Sequence, residues 1–117
     1  MPLYGRSFAN TAGPGSTYSG AGQGSWEAGI YDYKALPANG DSVRNDFDIG
    51  ASWSYDEAQR MMVTYDTPAM MQMKAGLIKD IGLGGAMYWE SSGDRKGEGS
   101  LISTVSSLYD GLGRRCC

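Results

Sequence analysis

The chain has 117 residues, enough for one small domain. Its 41% hydrophobic and 11% aromatic content is ordinary for a globular protein and argues against disorder. A net charge of −3 gives no basic face for nucleic acid, and the lack of any histidine excludes His-based triads and most zinc sites. Carboxylates, tyrosines and arginine remain as the available site chemistry. No apolar run approaches ~18 residues, so no membrane span is expected. No P-loop, Gly-x-Gly-x-x-Gly or Gly-x-Ser-x-Gly string occurs, and no cofactor or metal is expected.

In chain order, Leu3 to Phe8 reads as a short buried strand. Ala9 to Gly24 is rich in Gly, Ser and Thr and contains Pro14, which predicts a loop. Trp26 to Leu36 places Ile30, Tyr33 and Leu36 near helical spacing, predicting a short amphipathic helix stopped by Pro37. Asn39-Gly40-Asp41 is a turn signal. Ala51 to Tyr55 and Arg60 to Tyr65 read as two strands of a hairpin joined around Asp56-Glu57-Ala58-Gln59.

The clearest helix follows. Asp66 or Thr67 can cap it, Pro68 suits its first position, and Gly82 stops it. Met70, Met73, Leu77 and Ile81 are expected to form its apolar face, and the neighbouring methionines read as packing groups and not as a metal site. Gly84 to Trp89 reads as a strand, Gly93 to Gly99 as a charged loop, and Ser100 to Leu112 as a second helix with Leu101, Val105, Leu108 and Leu112 on one face. Strand, insertion, helix, strand, helix is one βαβα unit, which predicts a parallel α/β sheet covered by helices. Two parallel strands do not make such a sheet alone, so the chain reads as a slice of a larger α/β fold.

Four blocks carry a family resemblance: Met1-Pro-Leu-Tyr-Gly-Arg-Ser-Phe8, Gly24-Ser-Trp-Glu-Ala-Gly-Ile-Tyr-Asp-Tyr-Lys34, Tyr65-Asp-Thr-Pro68 with Lys74, and Gly82-Leu-Gly-Gly-Ala-Met-Tyr-Trp89. In this order they resemble glycoside hydrolase family 18 chitinases, most closely the bacterial-type chitinases of fungi, up to about Leu108. The resemblance implies an α/β fold, the C-terminal part of a TIM (β/α)8 barrel. Residues 1–8 would be barrel strand seven, 9–64 an α+β insertion walling the substrate cleft, and 65–112 helix seven, strand eight and helix eight. Residues 113–117 would form a C-terminal tail. The implied partner is chitin or its oligosaccharides, together with the N-terminal barrel segment of a longer protein.

Chemistry in such barrels sits at the C-terminal ends of the strands. The resemblance accordingly implies that Trp89 floors the subsite of the reacting N-acetylglucosamine, its indole burying the sugar's C–H face. Read from composition alone, Trp89 is a core tryptophan, a reading that its place at the end of a strand reverses. Arg6 would donate hydrogen bonds into the cleft, or else form a salt bridge at the barrel rim. Glu27 would reach the sugar from the insertion, or else be a solvated loop carboxylate. Tyr4 would shape the same rim, and Trp26 is expected to pack inside the insertion.

The family's Asp-x-x-Asp-x-Asp-x-Glu signature, whose Glu is the general acid, does not occur in these residues. Asp41 to Asp48 imitates it without its spacing or its Glu, and Met62-Val-Thr-Tyr-Asp66 imitates the Met-x-Tyr-Asp of strand six with one residue too many. The expected whole-protein activity is retaining, substrate-assisted hydrolysis of β-1,4-linked N-acetylglucosamine polymers, with this chain supplying binding residues and no catalytic residue. Two rivals stay open: a chitin-binding lectin of the same fold, and a free-standing binding module built on the insertion. Met1 leads directly into the first strand with no signal-peptide pattern, and localisation is left undecided between extracellular and cytoplasmic. Cys116-Cys117, following Arg114 and Arg115, reads as an exposed terminus in preference to a prenylation signal.

Overall fold

Side chains that alternate between a buried and an open face build a single sheet. In the computed structural model, which describes residues 1–38 and 42–109, β1 (Tyr4–Ala9) buries Gly5 and Ser7 and exposes Arg6. β5 (Ala51–Asp56) buries Ser52 and Ser54, and β6 (Met61–Thr64) buries Met61 and Val63. Period-two burial of this kind marks a sheet with one packed face. β2 (Gly20–Ala21), β3 (Ile30–Asp32) and β4 (Ser42–Asp46) complete it. The order is β2-β1-β6-β5-β4, with β3 also on β1, and every pairing of named strands is antiparallel.

The parallel sheet expected from the βαβα reading is therefore not what forms among the described residues. The hairpin turn after Asp56 and the returns through β2 and β3 place antiparallel neighbours on β1 first. Among the described residues the one parallel contact is a bridge between Pro2 and Trp89. It is held by Met1 N–H to the Met87 carbonyl (2.6 Å), Trp89 N–H to the Met1 carbonyl (3.1 Å) and Leu3 N–H to the Trp89 carbonyl (2.8 Å). Gly84 to Trp89 is accordingly not a full strand; glycines at 84 and 85 begin it, and only its end reaches a partner.

Trp26 to Leu36 is also not a helix. Gly29 takes a positive φ of 85°, and the segment turns back on itself through Ser25 N–H to the Ile30 carbonyl (2.8 Å). It then enters β3 and a single 3₁₀ turn at Tyr33–Ala35, which buries Tyr33 and Leu36 in place of a helical stripe. The strand over Ser42–Asp46 was not expected at all. The turn signal at 39–41 lies outside the described residues.

Helix α1 (Pro68–Asp80) begins as read, with the Thr67 hydroxyl accepting from Met70 N–H (3.2 Å) and Pro68 at the first position. Thr67, not Asp66, is the cap. At the other end Leu83 N–H reaches the Ile78 carbonyl (2.9 Å) and Gly82 N–H the Lys79 carbonyl (3.2 Å), a Schellman closure on a left-handed Gly82. The buried residues are Met70, Met71, Ala75 and Ile78, whereas Leu77 and Ile81 are 56% and 60% exposed. The apolar face thus lies one residue round from the stripe expected through Met73, Leu77 and Ile81. Helix α2 (Leu101–Tyr109) sets that phase, its Tyr109 hydroxyl donating to the Ala75 carbonyl (3.3 Å).

α2 starts on a double cap. The Ser100 hydroxyl accepts from Ser103 N–H, and the Asp94 carboxylate accepts from Leu101 N–H, Ile102 N–H and the Ser100 hydroxyl. Leu101 and Val105 are buried, Leu108 is 45% exposed, and Leu112 and the Cys116-Cys117 terminus lie outside the described residues. The core joins both layers: Leu3, Leu36, Val63 and Tyr65 from the sheet side meet Met71, Ala75, Leu101 and Val105 from the helices. Each Leu, Val or Met among them contributes about 1.5–3 kcal/mol on burial.

Candidate functional site

Alternation along β1 puts Tyr4 and Arg6 on the same, outward face. The Arg6 guanidinium carbon sits 5.6 Å from the centre of the Tyr4 ring, a cation–π contact that orients it. The parallel bridge at Pro2 carries Trp89 to the neighbouring position, where its side chain is 66% exposed. Tyr4, Arg6 and Trp89 thereby line one pocket of about 250 Å³, closed by Ile30 and Asp32 of β3 and by Glu90 and Gly93. Trp89 lies at the pocket surface and not in the core.

Glu27 is not among the lining residues. It is exposed on the turn before β3, where its carbonyl accepts from Ile30 N–H (3.1 Å). The carboxylates that do line the pocket are Asp32 and Glu90, which sequence reasoning missed. Asp32 lay inside a quoted block, and once β3 forms, alternation puts it on the same side as Ile30, opposite Tyr4 in register. Glu90 follows Trp89 directly and heads the turn at Ser91–Gly93. Asp32 Oδ2 accepts from Trp26 Nε1 at 2.8 Å and lies 3.7 Å from Lys34 Nζ. Glu90 Oε1 accepts from the Ser92 hydroxyl. Trp26, expected to pack inside the insertion, is instead 86% exposed, and its indole nitrogen donates to Asp32.

A second hollow of about 290 Å³ adjoins the first across Tyr4 and Arg6 and reaches Asp66 and Lys74. Asp66, free of the capping role, is buried and accepts from Lys74 Nζ at 2.6 Å, while its Oδ2 has no partner among the described residues. Further round, burial raises the pKa of the Tyr33 hydroxyl, opposed by Arg95, whose guanidinium lies 4.9 Å from the ring centre. That hydroxyl donates to the Gly99 carbonyl and is a structural strut. Among the described residues no group of His, Cys, Asp or Glu could hold a metal ion. No helix there is long and apolar enough to cross a membrane.

An exposed flat indole beside an oriented guanidinium and two carboxylates can do two things chemically. The indole covers the C–H face of a pyranose, and the charged groups exchange hydrogen bonds with its hydroxyls and amide. The sequence profile described as Glycosyl hydrolases family 18 matches residues 1–94. "Chitinase 1" of Aphanocladium album is 50% identical over 113 residues, covering 97% of this chain and 26% of that protein. The catalytic domain of the psychrophilic chitinase B from Arthrobacter TAD20 superposes with a TM-score of 0.85 at 29% identity, covering 96% of this chain and 25% of that one. A plant class V chitinase mutant from Cycas revoluta, solved in complex with (GlcNAc)3, has the same fold at a TM-score of 0.80 and 23% identity, covering 93% and 32%. The chain thus spans about a quarter of the length of the curated relatives it matches.

Proposed function

Because the chain belongs to glycosyl hydrolase family 18, we propose that it forms the C-terminal part of a chitin-degrading (β/α)8 barrel and holds β-1,4-linked N-acetylglucosamine there. In this reading residues 1–8 carry barrel strand seven, 9–64 form the insertion that walls the cleft, and 65–112 supply helix seven, strand eight and helix eight. The observation that carries it is the convergence of Tyr4, Arg6 and Trp89, from opposite ends of the chain, on one pocket. Trp89 is the platform under the reacting sugar. Arg6 donates to the sugar hydroxyls from a guanidinium already oriented on Tyr4, and Asp32 and Glu90 accept from them. Glu27 reaches the sugar chain from the insertion only at its margin, beyond the pocket.

The whole barrel hydrolyses with retention. The substrate's own acetamido oxygen attacks the anomeric carbon while a protonated glutamate donates to the leaving oxygen. No residue of this chain fills that acid role, and general acid catalysis is worth roughly 10²–10⁴-fold. The purified chain is expected to release no fluorophore from a chitotriose glycoside above a blank. Release that disappears in a Trp89→Ala variant would contradict the division of labour between this part and the rest.

A further inference from the structure

The outward face of the sheet continues past the pocket. Arg6 is registered with Thr64, Thr64 with Trp53, and Trp53 with Arg44, so these side chains form a row crossing β1, β6, β5 and β4. The neighbours of this row in sequence, Ser7, Val63, Ser52 and Ser54, are buried, whereas Arg6 and Arg44 are exposed and Thr64 and Trp53 half-buried. The row therefore lies on the outer surface. It starts at the Trp89 pocket, which Arg6 lines, and runs into an open groove of about 460 Å³ bordered by Trp53, Tyr55, Arg44 and Glu57. Neighbouring strands stand ~4.8 Å apart, so the row from β1 to β4 spans roughly 14 Å.

We propose that this row is a second saccharide site, which takes sugars of a β-1,4-linked N-acetylglucosamine chain that extends across the sheet from the Trp89 pocket. The inference rests on the proposed function for the pocket and adds where the rest of the polymer lies. Trp53 supplies the apolar platform, and Arg44 and Glu57 border it with planar donors and acceptors, the combination that matches a sugar's C–H face and its hydroxyls. Tyr55 closes the groove with a ring held by its hydroxyl, which donates to the Thr11 carbonyl (2.9 Å). The opposed charges of Arg44 and Glu57 favour a neutral, hydroxyl-rich ligand over a polyanion.

The test compares chitobiose with chitohexaose on the full chain by calorimetry, with the Trp53 indole N–H followed by NMR. The hexamer is expected to bind more tightly than the dimer and to shift the Trp53 indole resonance. Trp53→Ala is expected to cut hexamer affinity by about tenfold with dimer affinity unchanged, and Trp53→Tyr to restore most of it. Dimer binding with no length-dependent gain, or a gain that survives in Trp53→Ala, overturns the row while leaving the pocket standing. Failure to bind either oligosaccharide overturns the pocket, and the row with it. If Trp53→Ala does not fold, an unmoved Trp53 indole resonance in the wild-type chain at hexamer saturation overturns the row by itself.

Discussion

Arg6 shows how far the geometry of an exposed side chain is set by its own neighbours. Its side chain is exposed, so removing it leaves no cavity, yet the Tyr4 ring beneath it limits the directions its guanidinium takes. Lysine in its place keeps the charge but loses the planar fork and the stacking. Arg6→Lys is expected to weaken chitotriose binding about tenfold, read by calorimetry, while shifting unfolding free energy by no more than ~0.5 kcal/mol. An unchanged affinity would remove Arg6 from the site. The resemblance made Tyr4, Arg6 and Trp89 legible because they occupy motif positions. Asp32 and Glu90 stayed hidden because their placement depends on the register of β3 and on the turn after Trp89, neither of which leaves a periodic trace.

The elements show where periodicity stops being informative. α1 has a readable cap, first proline and glycine stop, but the phase of its apolar stripe depends on the helix it meets. Met71 is completely buried and Leu77 is 56% exposed, though both are apolar and both fit a helical repeat. Met71→Ala is expected to cost about 2–5 kcal/mol and Leu77→Ala at most ~0.5 kcal/mol, measured by chemical denaturation of the two variants. Equal losses would restore the stripe through Leu77. β4 was invisible for a different reason: as an edge strand it buries little, and Ser-Val-Arg-Asn-Asp carries no apolar alternation.

The cap on α2 adds a pH dependence. Burial of Asp94 would raise its pKa, but the Ser100 hydroxyl and the amides of Leu101, Ile102 and Arg95 outweigh it and hold the carboxyl below its ordinary value. A group depressed in the folded state stabilises the fold above its unfolded pKa, ~3.9, and that contribution is lost as pH falls through the lower folded value. Asp94→Ala is therefore expected to cost about 1–2 kcal/mol at neutral pH and to lose acid sensitivity below about pH 4, read from melting temperatures across pH. A wild-type and variant difference that stays constant into strong acid would contradict this.

At the scale of the whole molecule, the core closes over one side of the sheet while much apolar surface stays open. Leu77, Ile81, Leu83 and Met87 are 56%, 60%, 55% and 70% exposed. Exposed apolar surface of this kind drives association. The sedimentation-average mass of the isolated chain is expected to rise with concentration, and Leu77→Gln with Ile81→Gln to suppress the rise; a concentration-independent monomer would contradict this.

The central claim is that Trp89 carries a sugar, and it is tested by calorimetric titration of chitotriose into the wild-type chain and into Trp89→Ala. Because Trp89 is 66% exposed, the variant is expected to keep its melting temperature within a few degrees while its affinity falls about 10–100-fold. Saturable binding of equal strength in both proteins would contradict the account.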